Sequence, residues 1–430
     1  MQRHPMTRLA LAAATWLLVQ GLLLATAGVA RAEQRPAAAG EPIRIGVLVP
    51  LSGIGAAAGK DATDGWNLWW QRHGRTVAGR EIQSFIEDTA GNPDLGLSKA
   101  RLLVEQRQVH MLVGTVFASV GLAVATYVEQ VGIPTFYPIA AADDLTQRHR
   151  VPNLMRIAGW SSSQVTHPFG EWVATTTPCR RLVTLAADYA FGHEAVGGFV
   201  NTFTDVGGQV LEQIWHPIAE TDFSPYLARL AATRPDCVFA MPVGAPIIRF
   251  IQAWHDLGLW GRIPLYVGEV VTDQAILRGI DPPDLVVGLI SAGHWAEGRD
   301  DATTQEFVRL YEDAYRILPS YYAAAMYTAA QWLTRAITAA NGRVEDRQAF
   351  LQTVRATQLQ ETPFGPARLD DYNHPIFNVY IREVVKRPDG RAWNVVRHTI
   401  PNVSQFYKYD PEAYLRQPVY SRQYQGINWP

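Results

Sequence analysis

Short apolar segments alternate with amphipathic helical segments along most of this chain. Residues 43–50 and 81–88 have the pattern of strands, and each is followed by a helical stretch, at 60–73 and 93–107. Parallel strands cannot be joined by tight turns and need a long crossover, which is usually a helix. The alternation therefore predicts an α/β fold with parallel sheets that helices cover on both faces.

The alternation occurs in two successive sets, which a segment at residues 153–159 separates. Further strands are predicted at 109–115, 133–138, 182–187, 209–215, 237–242 and 263–267. Late helices are predicted at 303–316, 322–341 and 346–356, before two antiparallel strands that turn at residues 388–390. Because 430 residues exceed what one core usually accommodates, we expect two doubly wound parallel-sheet lobes. A polar, aromatic tail at 401–430 would wrap the surface.

The N-terminus has the order of a secretory signal peptide. Arg3, His4 and Arg8 precede an apolar run over residues 9–29, and Ala30-Arg31-Ala32 then supplies small residues around a cleavage site. We therefore predict a signal peptide over residues 1–32 and a periplasmic protein. The apolar run is long enough that an uncleaved membrane anchor is the alternative.

The two cysteines lie beside predicted strands of the second set. Cys179 precedes one strand, and Cys237 begins another. In the common 2-1-3 strand order these strands are neighbours, and both cysteines would lie at the same sheet edge. An exported chain favours a disulfide between them, and two unpaired thiols are the alternative.

Charge and motifs argue against nucleic-acid binding and catalysis. The 38 basic and 40 acidic side chains give a net charge of −2, which offers no attraction for nucleic acid. The 11 histidines lack metal-ligand spacing, "GHEAVGG" lacks the second His of a zinc-protease motif, and no G-x-S-x-G turn occurs. We expect no catalytic residue, metal or cofactor. An exported α/β hydrolase is the enzymatic alternative, and it would require a nucleophile–base pair in a cleft.

The stretch "GIGAAAGKD" at residues 53–61 resembles a phosphate-binding loop only superficially. The spacing of its glycines is wrong for that loop, and Asp61 stands where Ser or Thr would hold magnesium. Asp61 and Asp64 in the first turn of the next helix would also repel phosphate. The glycines are therefore interpreted as a tight turn where the backbone approaches a small ligand.

The order of segments resembles type I periplasmic solute-binding proteins of ABC importers, the branched-chain amino-acid receptor family. The resemblance is carried by "PLSGIGAAAGKDATDGWNLWW", "SFIEDTAGNPDLGLSKARLLVEQRQVHMLVGT", "LAADYAFGHEAVGGFVNTFTDVGGQVL" and "LPSYYAAAMYTAAQWLTRAI". It implies two lobes joined by three crossings and closing by hinge motion around a small ligand. Lobe one would comprise residues 42–158 and 295–372, and lobe two residues 159–294 and 373–400. The implied partner is an inner-membrane permease, and the chain would act as a monomer.

The resemblance also implies eight ligand-contact positions at the ends of strands. They are Phe117, Ala118, Ser119, Ala140, Ala141, Tyr189, Phe191 and Glu269. Ser119 and the backbone around it would hold a ligand carboxylate, the loop at Ala140 and Ala141 would supply a carbonyl, Tyr189 or Phe191 would stack on the ligand, and Glu269 would hold an ammonium group.

These positions leave the ligand open between two classes. Glu269 favours an amino acid, because a buried carboxylate needs a cation or a donor. Ala141 stands where the family pattern has a Thr hydroxyl, and Phe117 and Phe191 add aromatic surface, which favours an aromatic acid or an amide. Ser119 as a simple helix cap and Glu269 as a solvated loop residue are the structural alternatives. A ligand sensor remains an alternative to a transport component.

Overall fold

The computed structural model describes residues 40–428, so the predicted signal peptide lies outside the described residues. The strands are β1 (Ile43–Val49), β2 (Thr76–Val77), β3 (Arg80–Asp88), β4 (Met111–Gly114), β5 (Thr135–Phe136), β6 (Leu154–Met155), β7 (Arg181–Ala187), β8 (Gln209–His216), β9 (Cys237–Met241), β10 (Leu265–Gly268), β11 (Ile290–Gly293), β12 (Phe377–Lys386) and β13 (Ala392–Val403).

Helices connect nearly all of these strands. They are α1 (Ala56–His73), α2 (Pro93–Arg101), α3 (Ala118–Val131), α4 (Ser162–Thr176), α5 (Ala190–Asp205), α6 (Ser224–Ala232), α7 (Pro246–Asp256), α8 (Gln274–Leu277), α9 (Ala302–Tyr315), α10 (Tyr321–Ala339), α11 (Arg347–Ala356) and α12 (Pro411–Leu415). None of the helices within residues 40–428 has both the length and the apolar character that crossing a membrane requires.

The first sheet has the strand order β2-β3-β1-β4-β5-β6. Its central strand β1 pairs in parallel with both β3 and β4. Every β1 residue except Arg44 is buried, as expected for a strand that is covered on both faces. We call this sheet, with helices α1–α3 and α9–α11, lobe one.

The second sheet has the order β13-β12-β11-β10-β9-β7-β8. Strands β7 to β11 pair in parallel, and β12 and β13 extend the sheet as an antiparallel ribbon. We call this sheet, with helices α4–α8, lobe two. The predicted α/β class with two mainly parallel sheets is confirmed.

Cys179 and Cys237 form a disulfide, with Cα atoms 5.6 Å apart. Strand β7 lies between β8 and β9, which is the predicted 2-1-3 order, and Leu182 of β7 is in register with Cys237. The disulfide therefore links two neighbouring segments at one edge of lobe two, as predicted.

The segments that cross between the lobes contact one another. The backbone N–H of Arg156, just after β6, donates to the carbonyl of Asn373 at 3.0 Å. The buried Arg156 guanidinium donates to the carbonyls of Ala140 and Ala142, and at 2.8 Å to that of Trp160. One arginine thus ties two crossings to the loop after β5.

Several features differ from the sequence-based prediction. Helix α1 begins at Ala56, four residues earlier than predicted, so most of the glycine- and alanine-rich stretch is helical. Strand β11 was not predicted, because a four-residue strand of mostly small residues has little periodicity. The tail contains the short helix α12, and its aromatic side chains Phe406, Tyr414 and Tyr420 form a small buried cluster.

Candidate ligand-binding cleft

A cavity of about 300 Å³ lies between the two lobes. Lobe one contributes residues 53–58 after β1 and residues 116–118 after β4. Lobe two contributes Tyr189 and Phe191 after β7 and residues 243–245 after β9. All of these residues follow the carboxyl ends of parallel strands, which is where open α/β sheets bind ligands.

Aromatic side chains form one wall of this cavity. Trp160 lies on the crossing from lobe one to lobe two, and its ring meets the Phe191 ring edge to face, with centroids 5.7 Å apart. Tyr321 and Tyr322 at the start of α10 extend the wall, and Tyr321 meets Trp160 at 5.9 Å. Edge-to-face pairs of this kind hold the rings in fixed orientations.

The N-terminus of α3 opens onto the cavity beside this wall. Phe117 occupies the capping position, and no side chain accepts a hydrogen bond from the first turn. Phe117 and Ala118 line the cavity. The first N–H groups of a helix have no intrahelical partners and carry partial positive charge, so this end of the cavity suits an anionic group.

Five of the eight predicted ligand-contact residues line the cavity, and three do not. The five are Phe117, Ala118, Ala141, Tyr189 and Phe191. Ser119 is half-buried outside the lining, and it does not cap α3. The carbonyls of Ala140 and Ala141 are engaged by Arg156 and by Ser162, respectively. These carbonyls therefore hold the crossing together in this structure.

Glu269 lies in lobe two behind the cavity wall and is completely buried. Its carboxylate accepts hydrogen bonds from His294 Nδ1 at 2.6 Å, from the Trp295 N–H at 3.1 Å and from Arg382 Nη1 at 3.2 Å. Burial by itself would raise the pKa of Glu269, but His294 and Arg382 outweigh it, and the pKa is lowered. The carboxylate is neither solvated nor directed at the cavity.

Glu269 contributes to the cavity only indirectly. The His294 ring that it holds stacks on Trp160, with centroids 5.4 Å apart and planes 20° apart. Trp160 in turn lines the cavity. The structure thus gives Glu269 the role of supporting an aromatic wall residue.

Several lining residues carried little signal in the sequence. Ile54 and Gly244 meet across the mouth of the cleft, and Ile276 and Tyr322 line the side that faces α10. The two adjacent tyrosines at the start of a helix are the strongest signal that the sequence contained. The aromatic residues Tyr137 and Trp295 are buried in the protein outside the lining.

The lining of the cavity is apolar apart from a few neutral donors. Among residues 40–428, no acidic or basic side chain lines it. The indole N–H of Trp160 is buried without a hydrogen-bond partner in the described part of the protein. The described residues also contain no cluster of His, Cys, Asp and Glu that would hold a metal.

Comparison with known proteins agrees with this architecture. A family model described as a periplasmic binding protein matches residues 42–391. An ABC transporter substrate-binding protein from Sphaerobacter thermophilus is 32% identical with a TM-score of 0.78, over 85% of this chain and 99% of that one. A solute-binding protein of an ABC transporter from Rhodopseudomonas palustris BisB5, in complex with 3,4-dihydroxybenzoic acid, is 26% identical with a TM-score of 0.80, over 85% and 98%.

A relative from Brucella melitensis, the Leu/Ile/Val-binding protein homolog 6, is 27% identical over 83% of this chain and 91% of its own length. The fold and the family are those of solute-binding proteins rather than enzymes, so the hydrolase alternative loses its support. Such proteins bind small molecules and work with a permease, and the family implies a periplasmic location. This chain therefore belongs to the periplasmic binding protein family, as a substrate-binding component of an ABC transporter.

Proposed function

We propose that this protein binds an aromatic carboxylic acid between its lobes and delivers it to an inner-membrane permease for import. The observation that carries the proposal is the absence of an acidic side chain from the described cavity lining. The predicted ammonium ligand, Glu269, is already neutralised by Arg382 inside lobe two. An amino acid would leave its ammonium group without an anionic partner, whereas an aromatic acid has no such group.

The carboxylate of this ligand would lie at the N-terminus of α3. Phe117 and Ala118 at the start of this helix line the cavity, and no capping side chain competes for the first-turn N–H groups. A helix N-terminus stabilises an anion through these N–H groups and its partial charge. Because no arginine or lysine of the described residues lines the cavity, backbone groups would carry most of this interaction.

The ring of the ligand would pack against Trp160, Tyr189 and Phe191. An engineered cavity of about 150 Å³ holds a benzene molecule in another protein. A cavity of about 300 Å³ therefore has room for a ring, its carboxylate and additional substituents. The unpartnered Trp160 indole N–H supplies a donor for a ring substituent. The Rhodopseudomonas protein with bound 3,4-dihydroxybenzoic acid supports this ligand class.

Binding can be measured by calorimetry and thermal unfolding on residues 33–430. We expect benzoate or 3,4-dihydroxybenzoate to bind, and leucine to bind far more weakly, because an unpaired buried ammonium group costs more than about 3 kcal/mol. At 100 times its dissociation constant, a ligand adds about 2.7 kcal/mol to the free energy of unfolding. Tight binding of leucine without binding of aromatic acids would contradict the proposal.

Two variants on one helix test whether the ligand occupies this cavity. Phe191 and Phe203 both lie on α5 and are buried, but only Phe191 lines the cavity. Phe191→Leu is expected to weaken binding of the aromatic acid about tenfold, because an aromatic pair contributes about 1 kcal/mol beyond its area. Phe203→Leu is the control, and it should lower stability while leaving the affinity unchanged.

Import of the ligand and export of the protein itself to the periplasm need separate measurements. Deleting the gene should abolish uptake of the labelled acid at concentrations near the dissociation constant. Fractionation should place the processed protein in the periplasm. Normal uptake in the deletion strain, together with ligand-dependent transcription of other genes, would favour the sensor alternative.

A further inference from the structure

A buried ion pair crosses from one lobe to the other beside the cavity. Arg278, just after α8 in lobe two, donates from Nη2 to both carboxylate oxygens of Asp61 at 2.8 Å each. Asp61 lies on α1 in lobe one, and its side chain is completely buried, whereas 23% of the Arg278 side chain is exposed. Nη1 of Arg278 also donates to the Leu318 carbonyl of lobe one at 3.0 Å.

The segment that carries Arg278 is attached to lobe two. Gln274 donates to the Ala392 carbonyl of β13 at 2.9 Å, and Asn394 of β13 donates to the Thr272 carbonyl at 2.7 Å. At the same time, Asp273 accepts a hydrogen bond from the backbone N–H of Tyr321 in lobe one, at 2.9 Å. The segment therefore follows lobe two in any hinge motion, while the side chains of Asp273 and Arg278 contact lobe one.

A second contact between the lobes lies at the mouth of the cleft. The Ala245 N–H of lobe two donates to the Ile54 carbonyl of lobe one at 3.1 Å. Both Ile54 and Ala245 line the cavity, as do Ala275, Ile276 and Tyr321 beside the ion pair. These contacts join the two lobes on different sides of the cavity, so the described conformation is a closed one.

We propose that Asp61 and Arg278 form a latch that holds the cleft closed and thereby increases ligand affinity, although neither residue touches the ligand. Opening the hinge separates the two residues and exposes both charges to water. A ligand that binds only the closed form finds fewer competent molecules when more of the protein is open. Its apparent dissociation constant therefore rises as the open fraction grows. Asp61 and Arg278 act as positioning residues in this proposal.

The chemistry of the pair suits this role. Nη2 of the Arg278 guanidinium reaches the Asp61 carboxylate while Nη1 reaches the Leu318 carbonyl, and lysine has no second, rigidly placed nitrogen for that second contact. Burial raises the pKa of Asp61, and the Arg278 charge opposes that rise. Loss of either partner leaves the other without compensation only in the closed form.

The test uses Asp61→Asn, Arg278→Gln, Arg278→Lys and the Asp61→Asn/Arg278→Gln double variant. We expect each single variant to raise the dissociation constant of 3,4-dihydroxybenzoate about tenfold, within the usual range of coupling between a conformational change and binding. The double variant should bind the ligand no more weakly than the single variants do. Arg229→Gln is the matched control, because Arg229 pairs with Glu212 inside lobe two, and it should change affinity less than about twofold.

Small-angle scattering of the unliganded protein gives a readout that does not depend on the ligand. Asp61→Asn and Arg278→Gln should have a larger radius of gyration than the wild type, and Arg229→Gln should not. Unchanged affinity and unchanged scattering in the Asp61 and Arg278 variants would overturn the latch. The latch would also be overturned if the Asp61 and Arg278 variants both lost the same unfolding free energy without any increase in the radius of gyration. The pair would then be a fixed structural bridge.

The inference rests on the proposed function only for its choice of probe. If the wild type bound no aromatic acid, the proposed function would fail, while the scattering comparison would still decide the latch. If the wild type bound the acid and the variants bound it equally well without opening, only the latch would fail.

Discussion

Two acid–arginine pairs in the described part of the protein have the same chemistry and different positions. Glu269 and Arg382 are both fully buried, and both belong to lobe two. Asp61 and Arg278 belong to different lobes. In the proposed latch, opening the hinge leaves the first pair intact and separates the second, so the position of an ion pair relative to the hinge decides whether it stabilises the fold or a conformation.

The surroundings of the two arginines agree with this distinction. Arg382, on β12, also donates to Ser291 of β11 at 3.1 Å, to Thr272 at 2.9 Å and to the Trp295 carbonyl at 2.6 Å. Arg278 has Asp61 and the Leu318 carbonyl as partners, both in lobe one. The first arginine joins several strands and turns of one sheet, whereas the second joins lobe two to lobe one.

The largest expected effect is the loss of stability when the Glu269–Arg382 pair inside lobe two is broken. Glu269→Gln leaves the buried Arg382 charge without its anion, so we expect the free energy of unfolding to fall by about 3–5 kcal/mol. Urea denaturation of the unliganded protein measures this change. Glu383→Gln is the control, because its pair with Arg397 at 2.7 Å is partly exposed on both sides, and it should cost at most about 1 kcal/mol. Weaker ligand binding at unchanged stability would instead make Glu269 a ligand contact.

The pH dependence of stability should distinguish Glu269 from Asp273, which lies between the lobes. Burial raises the pKa of Asp273 to about 8, although hydrogen bonds from Tyr321 and Ala275 oppose the rise. The folded protein then keeps a proton that the unfolded chain releases above about pH 4. The stability from this proton is fully present below that pH and is lost as the pH rises towards 8, by at most about 1.4 kcal/mol per pH unit.

Glu269 contributes to the pH dependence of stability with the opposite sign. Its pKa is lowered below the usual 4.5, so its contribution is present above that value and is lost as the pH falls through the lowered pKa. Asp273→Asn should therefore flatten the decline of stability between about pH 4 and pH 8, and Glu269→Gln should flatten the decline on the acid side. Urea denaturation across this pH range measures both slopes, and unchanged slopes would contradict the assignment.

The smallest expected effect concerns the backbone contact at the mouth of the cleft. Gly244 and Gly258 both lie in lobe two with φ near +63° and +64°, so alanine strains the backbone similarly at both positions. A Cβ atom at Gly244 would lie 2.7 Å from the Ile54 carbonyl oxygen, whereas none of the neighbouring atoms lies within 4 Å at Gly258. We expect Gly244→Ala to raise the dissociation constant about tenfold relative to Gly258→Ala, because overpacking costs about 1–3 kcal/mol. Equal affinities, measured by calorimetry, would show that the cleft closes without this close approach.

The sequence predicted the strands and the region of the cleft well, because both depend on local patterns. Phe117, Tyr189 and Phe191 follow the carboxyl ends of parallel strands, and that position is enough to direct them towards the cleft. The disulfide could also be predicted, because the expected strand order placed Cys179 beside Cys237. Whether the lining residues contact a ligand stays a prediction.

The role of Glu269 could not be predicted from the sequence in the same way. The sequence places a carboxylate after a buried strand, which suits either a ligand contact or a solvated loop. Arg382 returns to this carboxylate from 113 residues further along the chain, and no local pattern predicts that return. The partnership of Asp61 with Arg278, across 217 residues, is hidden for the same reason.

The α/β class, the order of its strands and helices, and the aromatic character of the cleft follow from the sequence by itself, since hydrophobic periodicity and strand ends are properties of neighbouring residues. Only the tertiary structure decided which charges are neutralised inside one lobe and which face each other across the hinge. Ionic partners interact through space, and the free energy of a charge depends on burial and on groups that the fold brings from distant parts of the chain.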